Sequence, residues 1–280
     1  MTWLLVLACC LPWSIAAATA FPLDGSWRPV PASAGGKPGA SQRFDPQRLQ
    51  AFPATRAGSD IELRPKQGAW PSGEWVLQVR SPGLQTVTFF PPRASQPRVA
   101  RFGRQSAGEW PAHDRLVFPL PAMPTAGEPL RLHVDASGVI AAPLTFSVIP
   151  VAEYLRADAR WLAFASACLA VMAAMALMAI VFAFELSDAT FAWYAIFVLA
   201  YALILSIQSG YVYDPLAWRW VADAPRLWGR LATALSVVAA ILFLTRFADL
   251  RRYTPGCRRV LLAYAALTAA LSLIGLVPML

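Results

Sequence analysis

Few side chains in this 280-residue sequence are of types that do chemistry, and their spacing limits what that chemistry can be. There are 2 histidines, His113 and His133, on separate segments of the chain. The 4 cysteines are Cys9, Cys10, Cys168 and Cys257, so residues 21–157 contain none. That stretch can form no disulfide and no thiolate metal site. Two distant histidines fall short of the closely spaced ligand set a structural metal needs. They read as ordinary imidazoles, and no metal or cofactor is expected. Asp114 beside His113 is adjacency in sequence, not a catalytic triad, and no nucleophile–base–orienter set can be picked out. What remains is recognition chemistry. Trp70 and Trp110 stand near turn signals, with Arg101 and Arg115 in the same half of the chain. Indole faces beside guanidinium donors suit a sugar or a small anion. These four are the candidate ligand-binding residues, with packing as the competing role. Trp75 alternates in phase with Leu77 and Val79, so it reads as core.

The elements that must hold these residues follow from composition. The chain is 57% hydrophobic and 14% charged, with a mean hydropathy of +0.48. A soluble domain carries roughly 45–50% apolar and about 25% charged residues. The surplus is segregated, with a soluble first half and a membrane second half. The net charge of +8 comes almost wholly from arginine, since Lys37 and Lys66 are the only lysines. No basic helix or aromatic–basic platform occurs in the first half, so nucleic-acid binding is not expected.

Residues 1–20 read as a signal peptide. The apolar run 3–13 is too short to span a bilayer, and Ala18-Thr19-Ala20 fits an A-x-A cleavage pattern. An uncleaved anchor is the alternative, because the leading residues carry no Lys or Arg. Residues 21–150 form the expected periplasmic domain. Its first part, 22–58, is rich in Pro, Gly, Ala and Ser and reads as irregular, with one strand near Ser26–Val30. Period-two alternation then sets in at Ile61/Leu63, Leu77/Val79, Val87/Phe89, Leu116/Phe118/Leu120, Leu130/Leu132/Val134 and Leu144/Phe146/Val148. Short strands separated by turns predict an all-β sandwich, a jelly roll.

Residues 151–160 read as a short polar, helical connector. Four apolar runs follow, at about 161–184, 191–213, 227–245 and 260–278, each near the roughly 20 residues a spanning helix needs. Together they predict a transmembrane α-helical bundle. Trp161, Trp193, Tyr194, Trp218, Trp220 and Trp228 lie near the ends of these runs, as an aromatic belt would. The loop after the third run holds Arg246, Arg251, Arg252, Arg258 and Arg259, which marks it as cytoplasmic by the positive-inside rule. The loop 185–190 falls on the same side yet is acidic and has no arginine. The expected location is the bacterial inner membrane, multi-pass, with the N-terminal domain periplasmic.

This layout resembles the bacterial seven-transmembrane receptors with diverse intracellular signalling modules, the 7TMR-DISM family. In the soluble half the resemblance rests on Gly73-Glu74-Trp75-Val76-Leu77, on Arg115-Leu116-Val117-Phe118-Pro119-Leu120 and on Leu130-Arg131-Leu132-His133-Val134. These are similar to the family's second type of extracellular domain, a carbohydrate-binding-like jelly roll. In the membrane half it rests on Ser209-Gly210-Tyr211, on Leu216-Ala217-Trp218 and on the run from Phe243 to Pro255, where Ala248 replaces the family's usual leucine. The resemblance implies a sensory receptor input module. A small-molecule ligand, a carbohydrate among the candidates, would be sensed outside. The signal would pass through the bundle to a cytoplasmic output after a seventh span, a diguanylate cyclase or histidine kinase. The chain stops after its fourth span, so that output is expected to lie outside it, and no catalytic motif occurs in these residues. The expected partners are membrane lipid, at the arginine loop, and a second copy of the chain in a homodimer. A transporter or membrane enzyme with a periplasmic cap is the competing reading, and a scaffold without ligand is a third. The cores of the four runs hold no Asp, Glu, Lys or His, which weighs against ion or proton chemistry.

The topology has a direct test. With Cys9, Cys10 and Cys168 replaced by serine, Cys257 in the arginine loop should resist a membrane-impermeant thiol reagent in intact spheroplasts and react once they are lysed. Strong labelling before lysis would invert the third and fourth spans.

Overall fold

In the computed structural model, the residues described are 20–31, 39–53, 57–80, 86–92, 96–101, 104–105, 113, 115–120, 124–125, 127–135 and 143–274. Residues 1–19 of the expected signal peptide and Trp110 lie outside them. The chain divides into two compact units, Met1–Trp110 with Arg115–Asp158, and Pro111–Asp114 with Ala159–Leu280.

The first unit is built of strands β1 (Leu23–Pro29), β2 (Gln42–Phe44), β3 (Ser59–Pro65), β4 (Trp75–Arg80), β5 (Thr86–Phe90), β6 (Arg98–Arg101), β7 (Arg104–Gln105), β8 (Arg115–Leu120), β9 (Leu130–Asp135) and β10 (Thr145–Pro150). All pairings are antiparallel, in a seven-stranded sheet β2-β1-β3-β9-β5-β6-β7 and a three-stranded sheet β10-β4-β8. From β3 to β5, and again from β8 to β10, successive strands alternate between the sheets, as the chain of a jelly roll crosses from layer to layer. The alternation seen in the sequence is the cause. Ile61, Leu63, Val87, Phe89, Leu130, Leu132 and Val134 of the large sheet share one core with Leu77, Val79, Leu116, Phe118, Leu120, Phe146 and Val148 of the small one. Phe89 and Phe118 meet across it, with ring centroids 5.3 Å apart.

The N-terminal part is more ordered than its composition suggests. β1 and β2 pair directly, Gly25 against Phe44, and a Cβ at Gly25 would lie 2.5 Å from the Phe44 ring. Trp27, Phe44 and Phe52 form an edge-to-face aromatic chain that ends on Phe146. A segment that looks irregular in sequence therefore closes one edge of the core. His133 on β9 sits opposite Asp60 on β3, and its Nδ1 lies 2.9 Å from the Asp60 carboxylate.

The helices are α1 (Val151–Glu185), α2 (Ala189–Gln208), α3 (Arg219–Ala222), α4 (Pro225–Phe247), α5 (Leu250–Tyr253) and α6 (Pro255–Ile274). α1, α2, α4 and α6 are each long and apolar enough to cross a membrane. The connector is not a separate element. It forms the first turns of α1, whose 35 residues give about 52 Å, well over the roughly 30 Å of a hydrocarbon core. α2 stops at Gln208, short of Tyr213, because Ser209 caps it and Gly210 turns the chain with a φ of +82°.

α2 and α4 pack on each other through small residues. Ala195, Ala200, Ala232 and Ala239 are buried, which lets backbones approach where lipid supplies no hydrophobic drive. The hydroxyls of Ser206, Thr233, Thr245 and Thr268 donate to carbonyls three or four residues back in their own helices. The acidic loop is also explained. Asp188 is the N-cap of α2, accepting from the Thr190 backbone N–H at 2.8 Å. That bond, the Thr190 hydroxyl and the nearby Arg246 charge hold its carboxyl below the usual carboxylate range.

The core prediction is quantitative. Phe118→Ala should lower the unfolding free energy of the β-unit by about 3–5 kcal/mol, measured by denaturant titration followed by near-ultraviolet circular dichroism. Reductant should leave the parent transition unmoved. A loss under about 1 kcal/mol would mean that the two sheets do not share this core.

Candidate functional site

The small sheet has a second face, and alternation assigns it to solvent. On β4, Leu77 and Val79 point into the core, so Val76, Gln78 and Arg80 point the other way. In register with them are Val117 and Arg115 on β8, and Ser147 and Ile149 on β10. Yet Val76, Gln78, Arg115, Val117 and Ile149 are all buried. The start of the chain's next element reaches this face. β10 ends at Pro150 and α1 starts at Val151, with the Val151 N–H donating to the Glu74 carbonyl at 3.2 Å. In those first turns the Tyr154 ring reaches Arg115 on that face. Tyr154 is fully buried and Asp158, one turn on and on the same helix face, is 4% exposed.

The geometry centres on Arg115. Its guanidinium carbon lies 5.8 Å from the Tyr154 ring centroid. Arg80 and Arg115 are donors only, so Gln78 turns its amide oxygen toward them. It accepts from Arg80 Nε at 3.1 Å and from Arg115 Nη1 at 3.3 Å. Arg115 and Asp158 are the charged residues buried among the described residues. A charge taken from water needs such partners, and a planar guanidinium can use a carbonyl oxygen and a ring face together. The arrangement offers no nucleophile and no proton-transfer pair. What it does is join a sheet face to the start of α1 through polar contacts with fixed directions.

Of the four candidate ligand residues, Trp70 and Arg115 are those whose side chains are described, and they stand apart. Trp70 stacks on Phe21 at 6.1 Å, packs against the core and donates its indole N–H to the Glu128 carbonyl at 2.9 Å. Phe21 also meets Trp75, at one end of β4, whereas Arg115 pairs with Arg80 at the other. The two ends are roughly 17 Å apart at the rise of an antiparallel strand. Arg101 ends β6, in register with Thr86 and with Arg104. Trp110 lies outside the described residues. Gln78, Tyr154 and Asp158, which share the Arg115 face, were not among the sequence candidates. The available signal was the four-residue spacing of Tyr154 and Asp158 at the start of a helix leaving a strand.

The second unit has its own buried cluster, and it revises the reading of His113 as an ordinary exposed or half-buried imidazole. His113 is 1% exposed, and its ring centroid lies 4.3 Å from that of Trp161 on α1. A Cβ at position 210 would collide with the His113 carbonyl, so the left-handed Gly210 is required for space as well as for its φ. Next to it the Tyr211 hydroxyl pairs with Ser166 Oγ at 2.8 Å, tying the segment after α2 to α1. At the other end of the helices, Arg246 closes α4, Arg251 and Arg252 lie on α5, and Arg258 and Arg259 lie near the start of α6. Arg246 stands 6.0 Å over Trp193, and Arg252 stands 5.8 Å over Tyr253.

Substitution of Arg115 separates this contact from generic packing. Arg115→Leu should destabilise the β-unit by about 2 kcal/mol, since Gln78 and the buried helix start lose a charged donor. Arg115→Lys should recover part of that loss, as it keeps the charge without the fork. Thermal unfolding of the three proteins is the measurement, and a leucine variant as stable as the parent would remove Arg115 from the joint.

Comparison with curated proteins and with solved structures gives no match. A family model does match, over residues 161–280, and it describes 7TM diverse intracellular signalling. The matched segment starts at Trp161, beside the His113 ring, and covers α2, α4 and α6 in full. Residues 161–280, the membrane half of the chain, match the model of the 7TMR-DISM family, 7TM diverse intracellular signalling.

Proposed function

We propose that this chain is the input module of a membrane sensory receptor, in which the β-sandwich binds a small ligand outside the cell and α1 carries the response into the membrane. The observation that carries this reading is that α1 is one helix from Val151 to Glu185. It begins buried on the sandwich at Tyr154 and Asp158, and runs into the segment matched by a signalling family. A two-state balance shifts only by a ligand's differential affinity for the two states, and a helix start held by directional contacts supplies two distinguishable positions. The sandwich is of the second extracellular type of its family, and the ligand is a carbohydrate or small anion. Trp110 and Arg101 serve as contacts, while Trp70 and Arg115 serve the fold. The N-terminal domain is periplasmic, the membrane is the bacterial inner membrane, and the output is a diguanylate cyclase or a histidine kinase. Helix hydroxyls committed to their own backbone support relay over transport, since Ser206, Thr233, Thr245 and Thr268 spend their donors within their own helices.

The experiment uses the chain in nanodiscs with an environment-sensitive fluorophore on Cys257, the other cysteines being replaced. Among a set of monosaccharides, oligosaccharides and small carboxylates, a compound that raises the melting temperature should also change the Cys257 emission. Inserting four Gly/Ser residues after Ala157 should leave the melting shift in place and abolish the emission change. An emission change that survives the insertion would show that the signal bypasses α1.

A further inference from the structure

Where α4 gives way to α5 and α6, arginines are interleaved with exposed apolar side chains. α4 closes on Arg246 and Phe247, Asp249 turns the chain with a φ of +42°, and α5 and the start of α6 follow. Arg246, Arg251, Arg252, Arg258 and Arg259 share this stretch with a single acid, Asp249. Phe247, Tyr253 and Val260 are 72%, 70% and 69% exposed. The positive-inside rule accounts for the arginines but not for the apolar groups set among them, which gain nothing from water. Two of the cations are engaged locally. Arg246 stands over Trp193 and near Asp188, and Arg252 stands over Tyr253. Among the described residues, Arg251, Arg258 and Arg259 make no ion pair.

We propose that this surface binds anionic phospholipid headgroups, with Arg251, Arg258 and Arg259 as the charged donors and Phe247, Tyr253 and Val260 seated at the edge of the hydrocarbon. Two observations favour a lipid surface over a protein partner. The apolar groups continue the exposed sides of the spanning helices. Val260 heads the exposed row Val260, Tyr264, Leu267 and Leu271 on one face of α6, and Phe247 follows the exposed Leu244 by three residues on α4. The charge is also complementary. Guanidinium forks take phosphate oxygens two at a time, and an anionic leaflet attracts each basic group near its surface. Arginine stems lie along apolar surface while their heads reach the polar layer, so one stretch of chain serves both depths of the boundary.

The test uses the full chain in phosphatidylcholine nanodiscs doped with phosphatidylglycerol that carries a headgroup diazirine, or with phosphatidylcholine that carries the same group. After photolysis, peptide mass spectrometry compares the two crosslinking yields on residues 246–260. The phosphatidylglycerol probe should give about fivefold more there, the preference that a basic group beside an anionic headgroup supplies. In Arg251→Gln with Arg258→Gln and Arg259→Gln the ratio should fall to about one, while the ratio at the Trp218–Arg226 loop stays unchanged. Lysine at the same three positions keeps the charge and should retain most of the preference, which guards against a misfolded glutamine variant. A ratio of about one in the parent chain would overturn the proposal and leave the surface to a protein partner. A preference that survives in the glutamine variant would overturn it as well, by removing these arginines from the contact.

Discussion

The fold of the first unit depends on one constraint: a three-stranded sheet has two faces, and the core can cover only one. The start of α1 meets the other at Tyr154, and a cation is buried in the joint. Arg115 is held between the Gln78 oxygen and the Tyr154 ring, with Asp158 buried one turn further on. A desolvated cation–π contact contributes about 2 kcal/mol. The larger effect is directional. An apolar joint could slide by a fraction of a turn at little cost, whereas a guanidinium with a fixed acceptor and a fixed ring cannot. The unit is therefore completed by the same helix that goes on to become the first membrane span.

The membrane unit obeys a different solvent. Lipid is as apolar as leucine, so packing there depends on close approach and on satisfied polar groups. Alanines at the α2–α4 contact supply the first and hydroxyls folded back on their own helices supply the second. The exposed Phe164, Val171, Leu177 and Met178 of α1 suit hydrocarbon. Charge is confined to the helix ends, where its placement is specific. Asp188 caps α2, Arg246 at the end of α4 lies close enough to favour that ionised carboxylate, and four further arginines gather beyond α4.

Much of this was legible in the sequence because it depends on periodicity and segment length. Alternation at Leu77/Val79, Leu116/Phe118 and Leu130/Leu132 determined which residues form the sandwich core, since strand side chains repeat every two residues whatever the neighbours are. Run length and the absence of charge determined the four spanning helices, because the bilayer sets the length. The tertiary structure decided what no period encodes. It placed Gln78 and Arg115 beneath a helix rather than in water, brought Trp70 and Arg115 to opposite ends of the small sheet, and put the His113 ring against Trp161. Burial of a polar strand face depends on which element lies across it, and that element is remote in register even when it is next in sequence. An alternating strand specifies two faces, and only the packed chain specifies what covers the second.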